Sequence, residues 1–175
     1  MMTLPSNYKW LLKEPAPRML LEALNLYGTK EKPGTANNDM ILSWADELGI
    51  KDYKADSIPW CGLFMAIVAK RAGKTVPANP LWARNWLKFG KPVTTIKLGD
   101  VLVFRRGSGG HVALYVGEDE THYHGLGGNQ SDNTNIIRLN KRDLIGARHE
   151  YKIKQPGNCR KIQLAPSGIV FNGAG

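Results

Sequence analysis

The hydrophobic pattern of this chain changes period once, near Gly99, and that switch limits the possible fold more than any other feature. Ahead of it, apolar residues recur at helical spacing in one segment after another. From Gly99 on, DVLVFRR and HVALYVGED alternate or run apolar with β-branched residues on either side of GSGG, which is a hairpin signal. THYHGLG, NIIRLN and ARHEYKI are further strand candidates. Helices first and a meandering antiparallel sheet after is the order of an α+β domain, with N-terminal helices packed on a C-terminal sheet.

The helices carry their own punctuation. The spacing predicts a first helix over 18–27, with Pro17 at its start and Gly28 just past its end. Asn37 or Asn38 can cap a second helix that carries Met40, Ile41, Trp44 and Leu48 and closes at Gly49. Pro59 then opens WCGLFMAIVAKRA, which stops at Gly73 and is apolar around most of its circumference, as a central buried helix must be. A short fourth helix is expected from Asn79-Pro80 to Gly90. A chain of 175 residues has room for one domain with a real core, so one site is sought.

Lys and Arg outnumber Asp and Glu by 24 to 15, a formal charge of +9 that favours anionic partners. The basic residues come in ones and twos, such as Lys70-Arg71, and no aromatic-interleaved basic stretch speaks for nucleic acid. No window approaches the roughly 18 consecutive apolar residues of a membrane span, and the first residues lack the apolar stretch of a secretory signal. The expectation is a protein made in the cytoplasm, without a membrane span, that needs another device to release it. Two cysteines, Cys61 and Cys159, do not make a disulfide framework, which leaves one free for chemistry.

Cys61 stands two residues after Pro59, in the first turn of the apolar helix. Unpaired backbone N–H groups and the helix dipole there favour a thiolate, and the same N–H groups would stabilise an oxyanion. The competing reading is simple packing, since cysteine is among the most buried residue types. His111 begins a strand directly after the turn, sharing a face with Ala113 and Tyr115. A Cys-His pair needs a third polar side chain to hold the imidazole in the useful tautomer. GLGGNQSDN offers Asn129 and Gln130 one strand later; Asn129 is favoured, although it is also an ordinary turn former. CxxC, HExxH and phosphate-loop motifs are missing, and His122 and His124 have no third ligand at a usual spacing, so neither a metal nor another cofactor is expected.

The segments PWCGLF, GDVLVF, GGHVALYVG and GLGGNQSDN, in this order, resemble the signature of the CHAP-like and NlpC-type cell-wall peptidases of the papain-like superfamily. More narrowly, ALNLYGTKEKPGTANNDMILSWA followed by PWC resembles a group of small phage and prophage proteins of this kind. The resemblance covers 16–153 and implies a papain-like catalytic domain there; outside it lie an N-terminal extension at 1–15 and a stretch at 154–175 whose loss of periodicity reads as an irregular tail, packed on the surface or partly disordered. It implies Cys61 as nucleophile, His111 as general base and Asn129 as orienting residue. CHAP domains often carry a Glu two positions before this Asn, where Gly127 stands here, so that acid can play no part. NlpC-type enzymes commonly orient the base with a second histidine, which keeps His122 and His124 open for that role. Trp60, Glu31 and Gln130 are expected to line the substrate groove, with Gly34 in the same stretch as Glu31.

The resemblance implies a monomeric hydrolase that cleaves peptidoglycan, either between peptide residues or between muramic acid and the first alanine. It would act in the periplasm or wall after phage- or device-assisted release and be drawn by its charge to the anionic envelope. Two other readings stand beside it: a non-catalytic basic module for a wall polymer or nucleic acid, and a cysteine protease acting on protein.

Overall fold

A computed structural model of the chain describes residues 3–171. It is an α+β arrangement in which α1 (Arg18–Asn25), α2 (Asp39–Glu47) and α3 (Cys61–Arg71) precede a six-stranded sheet. The strands are β1 (Lys91–Pro92), β2 (Val101–Arg106), β3 (Gly109–Glu118), β4 (His122–Gly127), β5 (Asn135–Asn140) and β6 (Leu144–His149). They lie in the order β1-β6-β2-β3-β4-β5, and every pairing is antiparallel.

Asn38 caps α2 through its side chain, which accepts from the Met40 amide at 2.9 Å. The fourth helix expected before Gly90 is a 3-10 helix over Ala83–Lys88. The reason is local: Asn85 Nδ2 donates to the Asn79 carbonyl at 2.9 Å and Trp86 Nε1 to the Pro80 carbonyl at 2.9 Å, so side chains take the acceptors an α-helical first turn would need.

From Cys61 to Ala69 every residue of α3 is buried, and this helix is the centre of the main core. Against it lie Val101, Val103, Val112, Leu114, Val116 and Leu126, one face of β2, β3 and β4. The opposite face carries a second cluster built on Leu102, Phe104, Ala113, Tyr115 and Leu139. Burial contributes on the order of 1.5–3 kcal/mol per large side chain, so a helix buried all round is the strongest single anchor in the fold. The β2–β3 hairpin closes with Arg106 opposite Gly109, and Gly107 takes a φ of 55° in the intervening turn.

The two flanks belong to the same core. Tyr8 and Leu11, on a 3-10 helix over Ser6–Lys13, pack into it, as do Ile162 and Leu164. The tail expected to be irregular carries no helix or strand over 154–171, its last four residues lying outside the described ones, and the stretch after Cys159 docks beside the end of β3: the Glu118 amide donates to the Ile162 carbonyl at 2.9 Å and the Leu164 amide to the Glu118 carbonyl at 2.7 Å. Among the described residues no helix is long and apolar enough to cross a membrane.

Candidate active site

The position of Cys61 follows from what surrounds Trp60. That ring is fully buried against Trp44, and its Nε1 donates to Glu31 Oε2 at 3.2 Å. Trp60 is therefore a core residue and cannot line a groove, and Glu31 spends its carboxylate holding the indole. Glu31 is held in turn, because its amide donates to the Asp132 carbonyl at 2.9 Å and Gly28 donates to Thr134 at 2.9 Å. The loop after α1 is thus joined to the loop between β4 and β5, and both press on the start of α3.

Cys61 is the first residue of α3 and is 7% exposed. Its sulfur meets β3 at an amide the sheet leaves unpaired. The Tyr115 amide donates toward Asp100, beside β2, so alternation turns the Val112 and Leu114 amides toward β4. Pairing with β4 begins only at Leu114 opposite Leu126, which leaves the Val112 N–H free for the sulfur. Burial pushes the thiol up, while the N–H groups of Val112, Gly62 and Cys61 itself work against that shift.

His111, the residue before Val112, is buried, and its Nε2 lies 2.8 Å from Gln130 Oε1. The orientation of the Gln130 amide is fixed by its other end, where Nε2 donates to the Asn135 carbonyl at 2.8 Å, to Asn135 Oδ1 at 3.0 Å and to the Gly125 carbonyl at 3.2 Å. With Oε1 facing the ring, His111 Nε2 must carry the proton, and Nδ1 is left as a bare base. Nδ1 is buried and makes no hydrogen bond. Burial, and then the charge of Arg106, bring the imidazole down to about 4. Both shifts favour the uncharged forms, a thiol at Cys61 and a neutral imidazole at His111.

The partner expected at Asn129 is one residue further on. Asn129 is half-buried in the left-handed region, at a φ of 55°, with Ser131 and Asp132 in the same region just after it. Its side chain makes no hydrogen bond to His111, and the ring bonds Gln130 instead. Gly127 makes this possible: a Cβ there would lie 2.8 Å from Gln130 Oε1 and 3.1 Å from the Ala113 Cβ. An acidic side chain at 127 and the Gln130 amide could not share that space. Gln130 is itself buried and fully engaged, so it is a positioning residue and not a groove contact.

Neither remaining histidine candidate bonds to His111. His124 is buried between Tyr8, whose hydroxyl is 2.7 Å from Nδ1, and Asp119, whose Oδ2 is 2.8 Å from Nε2. His122 is half-buried, with Thr121 Oγ1 2.7 Å from its Nδ1. Among the described residues no three His, Cys, Asp or Glu side chains converge as metal ligands would.

Two surface features lie near His111 and the start of α3. A cleft of about 590 Å³ has His111 in its wall together with Phe104, Arg106, His122, Ile137 and Asn140. Trp82 is 73% exposed in the segment that lies between Gly62 of α3 and Gly110 of β3. The neighbouring Pro80 and Leu81 carbonyls cover Gly62 on α3, while Ala83 and Arg84 pack on Gly110 of β3. Sequence spacing pairs Trp82 with Trp86 as one helical stripe, yet only Trp86 is buried. Nothing in the pattern distinguishes the two.

The chain matches no protein-family model and no curated protein. What fold and site define together is an α+β domain with a buried cysteine at a helix N-terminus and, on the strand that packs against that helix, a buried histidine whose tautomer is set by a side-chain amide.

Proposed function

We propose that this is a papain-like cysteine hydrolase that cleaves an amide bond of bacterial peptidoglycan. The observation that carries the reading is the contact between His111 Nε2 and Gln130 Oε1, because it leaves Nδ1 unprotonated one residue from the amide that faces the Cys61 sulfur. His111 Nδ1 takes the thiol proton as the sulfur attacks the scissile carbonyl carbon. The resulting oxyanion is met by N–H groups at the start of α3. The imidazolium then gives its proton to the departing amine, leaving a thioester. Water, deprotonated by the same nitrogen, releases the acid and restores the thiol.

The order of motifs supports a cell-wall substrate, and the charge of +9 suits an anionic envelope. The enzyme would work as a monomer without a cofactor, as endopeptidase or as N-acetylmuramoyl-L-alanine amidase, in the periplasm or wall after release from the host cytoplasm. Digestion of purified peptidoglycan by wild type and Cys61→Ala, with mass spectrometry of the soluble products, tests this. Fragments made by wild type alone are expected, and their masses identify the bond.

The burial of Cys61 and its raised thiol support a second reading, a non-catalytic binding module with a packed cysteine. No fragments from folded wild-type protein would move the assignment there.

A further inference from the structure

We propose that the cleft beside His111 is an anion subsite in which Arg106 holds a carboxylate of the substrate. The inference rests on the hydrolase reading and adds a substrate class to it: amides flanked by a free carboxylate, in preference to the same amides with that carboxylate capped.

Cations dominate the cleft wall. Arg105, Arg106 and Arg138 face it, against Asp143 as the single acid. Two of the guanidinium groups are already engaged. Arg138 makes two hydrogen bonds to Asp119, at 2.8 and 3.1 Å, and Arg105 lies 3.6 Å from Asp143. Among the described residues Arg106 has no carboxylate within ion-pair distance. Its backbone is fixed where β2 closes the hairpin against Gly109, so its position does not depend on a mobile loop. An exposed, unpaired guanidinium on a rigid strand end is well suited to take a carboxylate in two parallel hydrogen bonds.

A second observation comes from the cleft wall itself. His111 is buried there, and its Nδ1 has no partner. The charge of Arg106 bears on both reacting groups, holding the imidazole down and favouring the Cys61 thiolate. Unopposed, this charge weakens the base. A carboxylate docked on Arg106 would cancel that charge, so His111 gains basicity when an anionic substrate is in place. Recognition and activation would then share one residue.

Alkylation of Cys61 tests this without any wall substrate. A thiol in free solution reacts faster with uncharged iodoacetamide than with anionic iodoacetate. Mass spectrometry of the Cys61 peptide gives both rates in the folded protein, with glutathione as the reference thiol. At Cys61 the iodoacetate-to-iodoacetamide ratio should exceed that of glutathione roughly tenfold, as expected for one nearby unpaired cation. Arg106→Gln should return the ratio to the reference, and Arg106→Lys should keep most of the excess. A wild-type ratio equal to that of glutathione, or one unmoved in Arg106→Gln, overturns the subsite. Failure of folded wild type to react with either reagent is a different result: it removes Cys61 as a nucleophile, and the hydrolase reading falls together with its subsite.

Discussion

Gln130 Oε1 stands 2.8 Å from His111 Nε2, and acceptors from Asn135 and Gly125 keep the other end of the same amide in place. Gln130→Ala should release the ring and let the wrong tautomer form. Peptidoglycan hydrolysis is expected to fall on the order of 10²-fold, mostly in kcat. Asn129→Gly, which keeps the left-handed backbone, should leave kcat within about twofold. A reversed order of effects would return the orienting role to Asn129.

Burial of neutral His111 ties stability to pH. The imidazole titrates at about 4 in the fold against 6.5 when exposed, so on acidification the unfolded chain takes up the proton first. The contribution is fully present above 6.5 and is lost as pH falls through 4; its size is about 3 kcal/mol. Urea unfolding at pH 7 and pH 4 should therefore show a smaller loss for His111→Gln than for wild type. Equal losses in the two proteins would contradict the shift.

Trp82 is exposed beside the site, whereas Trp86 is buried beneath it. Trp82→Ala should cost less than about 0.5 kcal/mol of stability. In a Cys61→Ala background it should weaken co-sedimentation with peptidoglycan several-fold, because an exposed indole offers apolar area for a bound chain. Trp86→Ala should instead cost about 3–5 kcal/mol in denaturant unfolding.

The glycines ahead of Gln130 separate packing from positioning. A Cβ at Gly128 would come within 2.5 Å of the Phe64 Cβ and 2.9 Å of Trp60 Cε3, so Gly128→Ala should destabilise by about 1–3 kcal/mol. At Gly127 the obstacle is the Gln130 amide, the very group that holds His111. Gly127→Ala should thus lose most hydrolysis with a smaller shift in Tm, which calorimetry and digestion assays together would read.

Local pattern was enough for some of this molecule and not for the rest. The apolar run of α3, the Asn38 cap and the strands after Gly99 all express a period or a cap that a few neighbouring residues define. Choosing between Asn129 and Gln130 depends on three left-handed residues in one loop, which rotate each side chain to a direction no period describes. Trp60 reads as a groove residue because it adjoins Cys61, and only the distant Trp44 and Glu31 show why it is buried. The roles of Tyr8 and Leu164 are equally non-local, since their partners lie more than forty residues away.

The docking of the two flanks also sets how the domain could be rebuilt. Asn7 donates to the Ser167 carbonyl, and Arg160 pairs with Glu14 at 2.9 Å, so these segments run side by side. A short flexible linker could join them, and the exposed turn at Gly73 offers a place for new termini. Such a circular permutant would keep α3, the hairpin and the Gln130 loop in unbroken chain, whereas trimming back to 16–153 would uncover the faces that Leu11 and Ile162 now seal.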